Sequence, residues 1–145
     1  MPNKIRILFI DDDDISQELN KAVVAFHYDD LCKKFSLIAI DLFFAGNLID
    51  TKKLLNSAAV ENRFPHVIIS DIQLIGVTGF DFLDIYEEDF LKEYPKTVVA
   101  LITADADENA RVKIKKYKFT SGVFVRPIDD KILKILIEEA ITKHS

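Results

Sequence analysis

Cysteine occurs once, at Cys32. A disulfide framework or a cysteine zinc site within one chain is thereby excluded, and Cys32 reads as a small buried hydrophobe. Only 4 glycines and 4 prolines occur in 145 residues, too few for a collagen-like or low-complexity chain. No apolar run approaches the roughly 20 residues that a membrane helix requires. The opening Met1-Pro2-Asn3-Lys4 leads straight into a strand-like run, without the apolar stretch and small-residue cleavage site of a signal peptide. The expected setting is soluble and cytoplasmic, with no membrane partner. Basic residues are in deficit, 19 against 24 acidic, for a net charge of −5. Bulk charge therefore does not favour nucleic acid. His27, His66 and His144 are scattered without ligand spacing and read as non-catalytic.

What is present is globular: 49% apolar and 30% charged residues, enough to bury a core in a single domain over 1–145. No stretch reads as a linker, and strand and helix alternate. Ile5–Ile10 is a short apolar run of the kind a buried strand shows. Ile15, Leu19, Val23 and Phe26 follow at spacings of four, four and three, which is helical, and His27–Lys34 extends that helix. Leu37–Ala45, His66–Ser70, Val98–Ile102 and Val123–Val125 read as further strands. Asp50–Ala59, the stretch carrying Gly79, Leu83, Tyr86 and Phe90, Asp107–Lys118, and Ile128–Lys143 read as helices. Five βα units predict an α/β, doubly wound, flavodoxin-like (βα)5 sandwich with a five-stranded parallel sheet. In such a sheet the functional crevice lies outside the carboxyl ends of the strands.

The residues just after each strand are therefore the informative ones. Asp11, Asp12, Asp13 and Asp14 follow the first strand, Asp71 the third, Thr103 and Ala104 the fourth, Arg126 and Pro127 the fifth. Clustered carboxylates repel one another unless neutralised, and Mg²⁺ does so with one or two of them plus water. A cation there would screen phosphate oxygens and let Asp71 act as nucleophile on a phosphoryl donor. Thr103 and Arg126 would each take a phosphoryl oxygen. Asp14 with Gln17 resembles a capping box, so part of the acidic run serves the next helix.

At this point the sequence resembles a receiver domain of a two-component response regulator, over essentially its whole length. ILFIDDDD resembles that family's opening strand and acidic pair, on Asp11 and Asp12. IISDIQLIGVTG resembles the phosphoacceptor segment, with Asp71 as the phosphorylated residue and Gly79 at the family's glycine. ALITADAD resembles the strand ending in the switch hydroxyl, Thr103, and SGVFVRP the closing segment with a basic residue before proline. The resemblance implies strand order 2-1-3-4-5 and a cis Arg126–Pro127 bond. It implies Mg²⁺ held by Asp12, Asp71 and the Gln73 carbonyl, with Asp11 acting through water. It further implies phosphoryl supply by a sensor histidine kinase or phosphotransfer protein. The chain departs from the pattern at Arg126 for lysine, Ile75 for proline, Thr78 for a turn aspartate and Val123 for an aromatic. Arg is planar and less mobile than Lys, so that exchange is not conservative. No output domain is expected after the fifth helix, and stand-alone receivers act by docking.

The last helix carries apolar residues over an arc of roughly 240°, wider than one packed face needs. Ile128, Ile132, Leu133, Ile135, Leu136, Ile137, Ala140 and Ile141 make up that arc, and Arg111, Lys113, Lys115, Lys116 and Lys118 precede it. The last two helices are therefore the expected surface for a downstream protein or a homodimer. Two other readings compete. One is a phosphorylation-independent pseudo-receiver, a binding module. The other is a small phosphatase of the haloacid-dehalogenase type, with Asp11 as nucleophile and Asp13 as acid/base.

Overall fold

The computed structural model describes residues 2–105 and 108–145. The elements run β1 (Lys4–Ile10), α1 (Asp14–Phe35), β2 (Ala39–Ala45), α2 (Leu48–Val60), β3 (Val67–Asp71), β4 (Gln73–Leu74), β5 (Val77–Thr78), α3 (Gly79–Asp89), β6 (Val98–Thr103), α4 (Glu108–Lys113), a 3₁₀ turn (Ile114–Lys116), β7 (Thr120–Val125) and α5 (Asp130–Lys143). The main sheet is parallel, in the order β2-β1-β3-β6-β7. This is the expected 2-1-3-4-5 order, with the β4–β5 hairpin as an unexpected addition. The start expected for the fourth helix, Asp107, lies outside the described residues; from Glu108 the helix ends after Lys113 and tightens into the 3₁₀ turn.

Alternation along the strands builds two cores. Ile5, Ile7 and Phe9 face α1 and α5 together with Val67, Ile69, Val98, Ala100 and Ile102. Leu8 and Ile10 face the other way, with Ile68, Val99 and Leu101, toward α2, α3 and α4. A strand covered on both faces has no solvated side, so its sequence is a continuous apolar run. The strand readings succeeded for that reason.

Helix α1 forms where the spacing of Ile15, Leu19, Val23 and Phe26 placed it, but that stripe is not its buried face. Its buried residues are Asn20, Val24 and Leu31, while Ile15 and Leu19 are exposed and Phe26 is 83% exposed. Helix α5 leaves less of its apolar arc exposed than the arc's width suggests. Ile128, Leu133, Leu136, Ile137, Ala140 and Ile141 are all buried and only Ile135, at 53%, is an exposed large apolar residue of that helix. The core beneath α1 and α5 absorbs nearly the whole arc. Cys32 is half-buried against the same core. No described helix is long and apolar enough to cross a membrane.

Candidate functional site

Strand register places the chemistry. Ile10 of β1 pairs with Ser70 of β3, so Asp11 and Asp71 each stand one residue beyond that pair. Asp71 pairs with Ile102, and Thr103 with Val125. Asp11, Asp71, Thr103 and Arg126 thus end their strands side by side, as expected. The Asp11 amide donates to the Ala45 carbonyl and the Arg126 amide to the Thr103 carbonyl, at 3.0 and 2.7 Å, which fixes both residues to neighbouring strand ends. Arg126–Pro127 is cis.

The acidic run divides its duties. Asp11 is 3% exposed; its Oδ1 accepts from the Asp13 amide. Asp13, not Asp14, caps α1: its side chain accepts from the Ile15 amide at 3.2 Å and from the Ser16 hydroxyl at 3.0 Å. Asp14 is simply the first helical residue. Gln17, expected to complete a capping box, instead directs Nε2 to the carbonyls of Phe9, Asp11 and Ala45. It pins α1 to the ends of β1 and β2. With Asp13 engaged at the helix terminus, the acid/base assignment of the phosphatase reading loses its second carboxylate.

Asp11, Asp12 and Asp71 each bring a carboxylate oxygen within 4.8 Å of the others. An all-oxygen, anionic donor set of this kind suits a hard divalent cation such as Mg²⁺. Burial holds the Asp71 carboxyl above its ordinary pKa; the Gln73 amide and Arg126 pull it down, while Asp11 and Asp12 push it up. Asp71 Oδ1 accepts from the Gln73 amide at 3.1 Å, and Oδ2 lies 2.8 Å from Arg126 Nη2. The same Nη2 lies 2.7 Å from Asp11 Oδ2, and Nη1 donates to the Ser16 hydroxyl at 3.1 Å. Burial would lower the Arg126 pKa, but the bonds and charges of Asp11 and Asp71 outweigh it, so the guanidinium is held above its ordinary value.

The segment after Asp71 makes its turn without proline. Gly76 has φ +75° at the second position of the turn joining β4 and β5, the conformation a type II turn requires there. Thr78 caps α3, with the Asp81 carboxylate accepting from the Thr78 amide at 2.8 Å. A Cβ on Gly79 would stand 2.6 Å from the Asp71 carbonyl oxygen. Glycine here lets α3 press directly against the end of β3. Ser16 and Gln17 are the site residues that sequence reasoning missed. Their only sequence signal was position, in the first turn after the acidic run.

The arrangement is a doubly wound α/β protein with an acidic, cation-fitting crevice at the strand ends. Solved structures identify the particular fold as that of response-regulator receiver domains. A two-component response regulator from Cytophaga hutchinsonii superposes with a TM-score of 0.80 at 22% identity, over 98% of this chain and 99% of that one. The receiver domain of a Saccharomyces cerevisiae response regulator, solved with a histidine phosphotransfer protein, gives 0.69 at 18% identity, over 99% and 93%. A chemotaxis response regulator of Vibrio cholerae gives 0.63 at 20% identity, over 94% and 98%. No family model and no curated protein matches the sequence.

Proposed function

We propose that this chain is a receiver that accepts a phosphoryl group on Asp71 from a phosphorylated histidine of a kinase or phosphotransfer protein. The observation that carries this reading is the convergence of Asp11, Asp12 and Asp71 within 4.8 Å at adjoining strand ends. Asp71 attacks phosphorus through a carboxylate oxygen; the O–P bond forms as the donor's N–P bond breaks. The imidazole nitrogen takes a proton from solvent as it leaves. Asp12, Asp71 and the Gln73 carbonyl, with Asp11 acting through water, would hold Mg²⁺, which would supply positive charge against the transferred group. Thr103 and Arg126 stand at the neighbouring strand ends to hold phosphoryl oxygens, so the chain's part is positioning and charge stabilisation.

The donor has to bring its imidazole to the crevice, so its surface covers the mouth. Ile15 and Leu19 on the first turns of α1 and Ile75, 85% exposed, on the turn after β4 offer apolar contact at that end of the sheet. Output through the last two helices rests on less area than the sequence suggested, Val112 of α4 and Ile135 of α5, beside the basic residues of α4.

The test is intact-protein mass after incubation with acetyl phosphate and Mg²⁺, beside an Asp71→Asn control. A gain of one phosphoryl group, absent in the control, supports the reading. A folded protein that gains none from acetyl phosphate or from phosphoramidate favours the pseudo-receiver, which the placement of Arg126 across two of the three carboxylates already supports.

A further inference from the structure

Arg126 does more than stand near the crevice. One of its nitrogens lies between Asp11 Oδ2 and Asp71 Oδ2, at 2.7 and 2.8 Å. These are two of the three carboxylates that a divalent cation would use. A further bond from the guanidinium, itself backed by a second, holds it in place. Nη1 donates to the Ser16 hydroxyl at 3.1 Å, and that hydroxyl donates to the Asp13 carboxylate that caps α1 at 3.0 Å. The Arg126 backbone amide is tied to the Thr103 carbonyl. The planar fork therefore reaches helix α1 and two strand ends at once, which the single ammonium of a lysine cannot do.

We infer that Arg126 is a tethered counterion that competes with the divalent cation for Asp11 and Asp71, and so sets the metal affinity of the crevice. This rests on the reading of the crevice as a cation site. The three carboxylates carry a charge of −3 and the guanidinium offsets one unit. A monovalent cation brings no more charge than Arg126 already supplies. A divalent ion brings one unit more, and so displaces the side chain at the cost of its ion pairs. Until a phosphoryl group arrives for it to hold, the displaced side chain has a place to go. A groove of 350 Å³ lies beside it between α1 and the start of α5, lined by Ser16, Leu19, Asn20, Val23 and Pro127 among others.

The experiment is calorimetric titration of the full chain with Mg²⁺ and Mn²⁺ at fixed ionic strength, on the wild type and on Arg126→Gln, Ser16→Ala and Asp12→Asn. Folding of each variant is checked by circular dichroism. Arg126→Gln is expected to bind on the order of tenfold tighter, because a competing charge a few ångströms away is gone. Ser16→Ala leaves every carboxylate in place but loosens the guanidinium, and is expected to tighten binding about threefold. It carries the test should Arg126→Gln fail to fold. In the wild type, saturating Mg²⁺ is expected to shift the Arg126 side-chain Nε–Hε resonance and raise its mobility. Arg126→Gln and Ser16→Ala within twofold of the wild type, with Asp12→Asn weakened, would overturn the competition and leave the cation site standing. Absence of binding in folded wild type and both variants would instead remove the cation site itself.

Discussion

The two ends of the central sheet hold buried polar groups of opposite character. At the amino end the buried polar groups are hydrogen-bonded and carry no charge of their own. His66 Nδ1 accepts the Arg6 amide at 2.9 Å, its ring meets that of His144 edge-on, and the Thr97 hydroxyl donates to the Pro65 carbonyl at 2.8 Å. Burial, followed by the nearby Arg6 and His144 charges, drops the His66 pKa to about 4 and keeps the ring uncharged. At the carboxyl end three carboxylates cluster, and the Arg126 guanidinium pairs with two of them. A neutral, satisfied network adds to stability and has no further chemistry to offer. A surplus of one sign is costly for the fold and is kept where a ligand of the other sign completes it.

The sharpest contrast between the ends comes from Asp71→Asn. It is expected to abolish phosphoryl uptake in the mass measurement, whereas substitutions around His66 leave uptake unchanged. Next is Gly79→Ala, beneath the crevice. Its methyl group collides with the Asp71 backbone, so it is expected to lose about 3 kcal/mol in urea unfolding. Should it unfold at the wild-type midpoint, the close approach of α3 to β3 would be wrong.

The amino end answers to pH. His66 binds its proton less readily in the folded chain than in the unfolded one, so stability falls as pH drops through 6.5 toward 4. The loss between pH 7 and 4.5 amounts to about 2 kcal/mol. His66→Asn keeps an acceptor for the Arg6 amide but does not titrate. Unfolding free energies of the two proteins should therefore converge in acid; parallel pH curves would exclude His66 as the source. Smallest is Asp13→Ala, which removes the α1 cap and is expected to cost about 1 kcal/mol. It should leave Mg²⁺ affinity within a fewfold, since Asp13 serves the helix terminus rather than the crevice.

Much of the crevice was legible because its residues follow apolar runs. A doubly covered strand is recognisable from composition, and the residue after it is placed by the fold's polarity. That reasoning reached Asp11, Asp71, Thr103 and Arg126. It found α1 but could not orient it, because Asn20, Val24 and Leu31 on one face and Ile15, Leu19 and Phe26 on the other obey similar helical spacings. Periodicity identifies a helix; it does not say which face the sheet covers. Gln17 was misread because a local pairing was available in the sequence, while its actual partners, the carbonyls of Phe9, Asp11 and Ala45, come together only when β1 and β2 align.

The sequence by itself determined the alternation of strands and helices, the acidic and basic strand ends, and the resemblance to receivers, because these depend on residue type and short spacing. Tertiary structure alone decided that one guanidinium spans Asp11 and Asp71. It also decided that Ser16 from α1 holds that guanidinium and that α5 buries nearly all its apolar surface. Arg126 lies 115 positions from Asp11 and 110 from Ser16, and contacts across such separations exist only once parallel strands have set their ends in register.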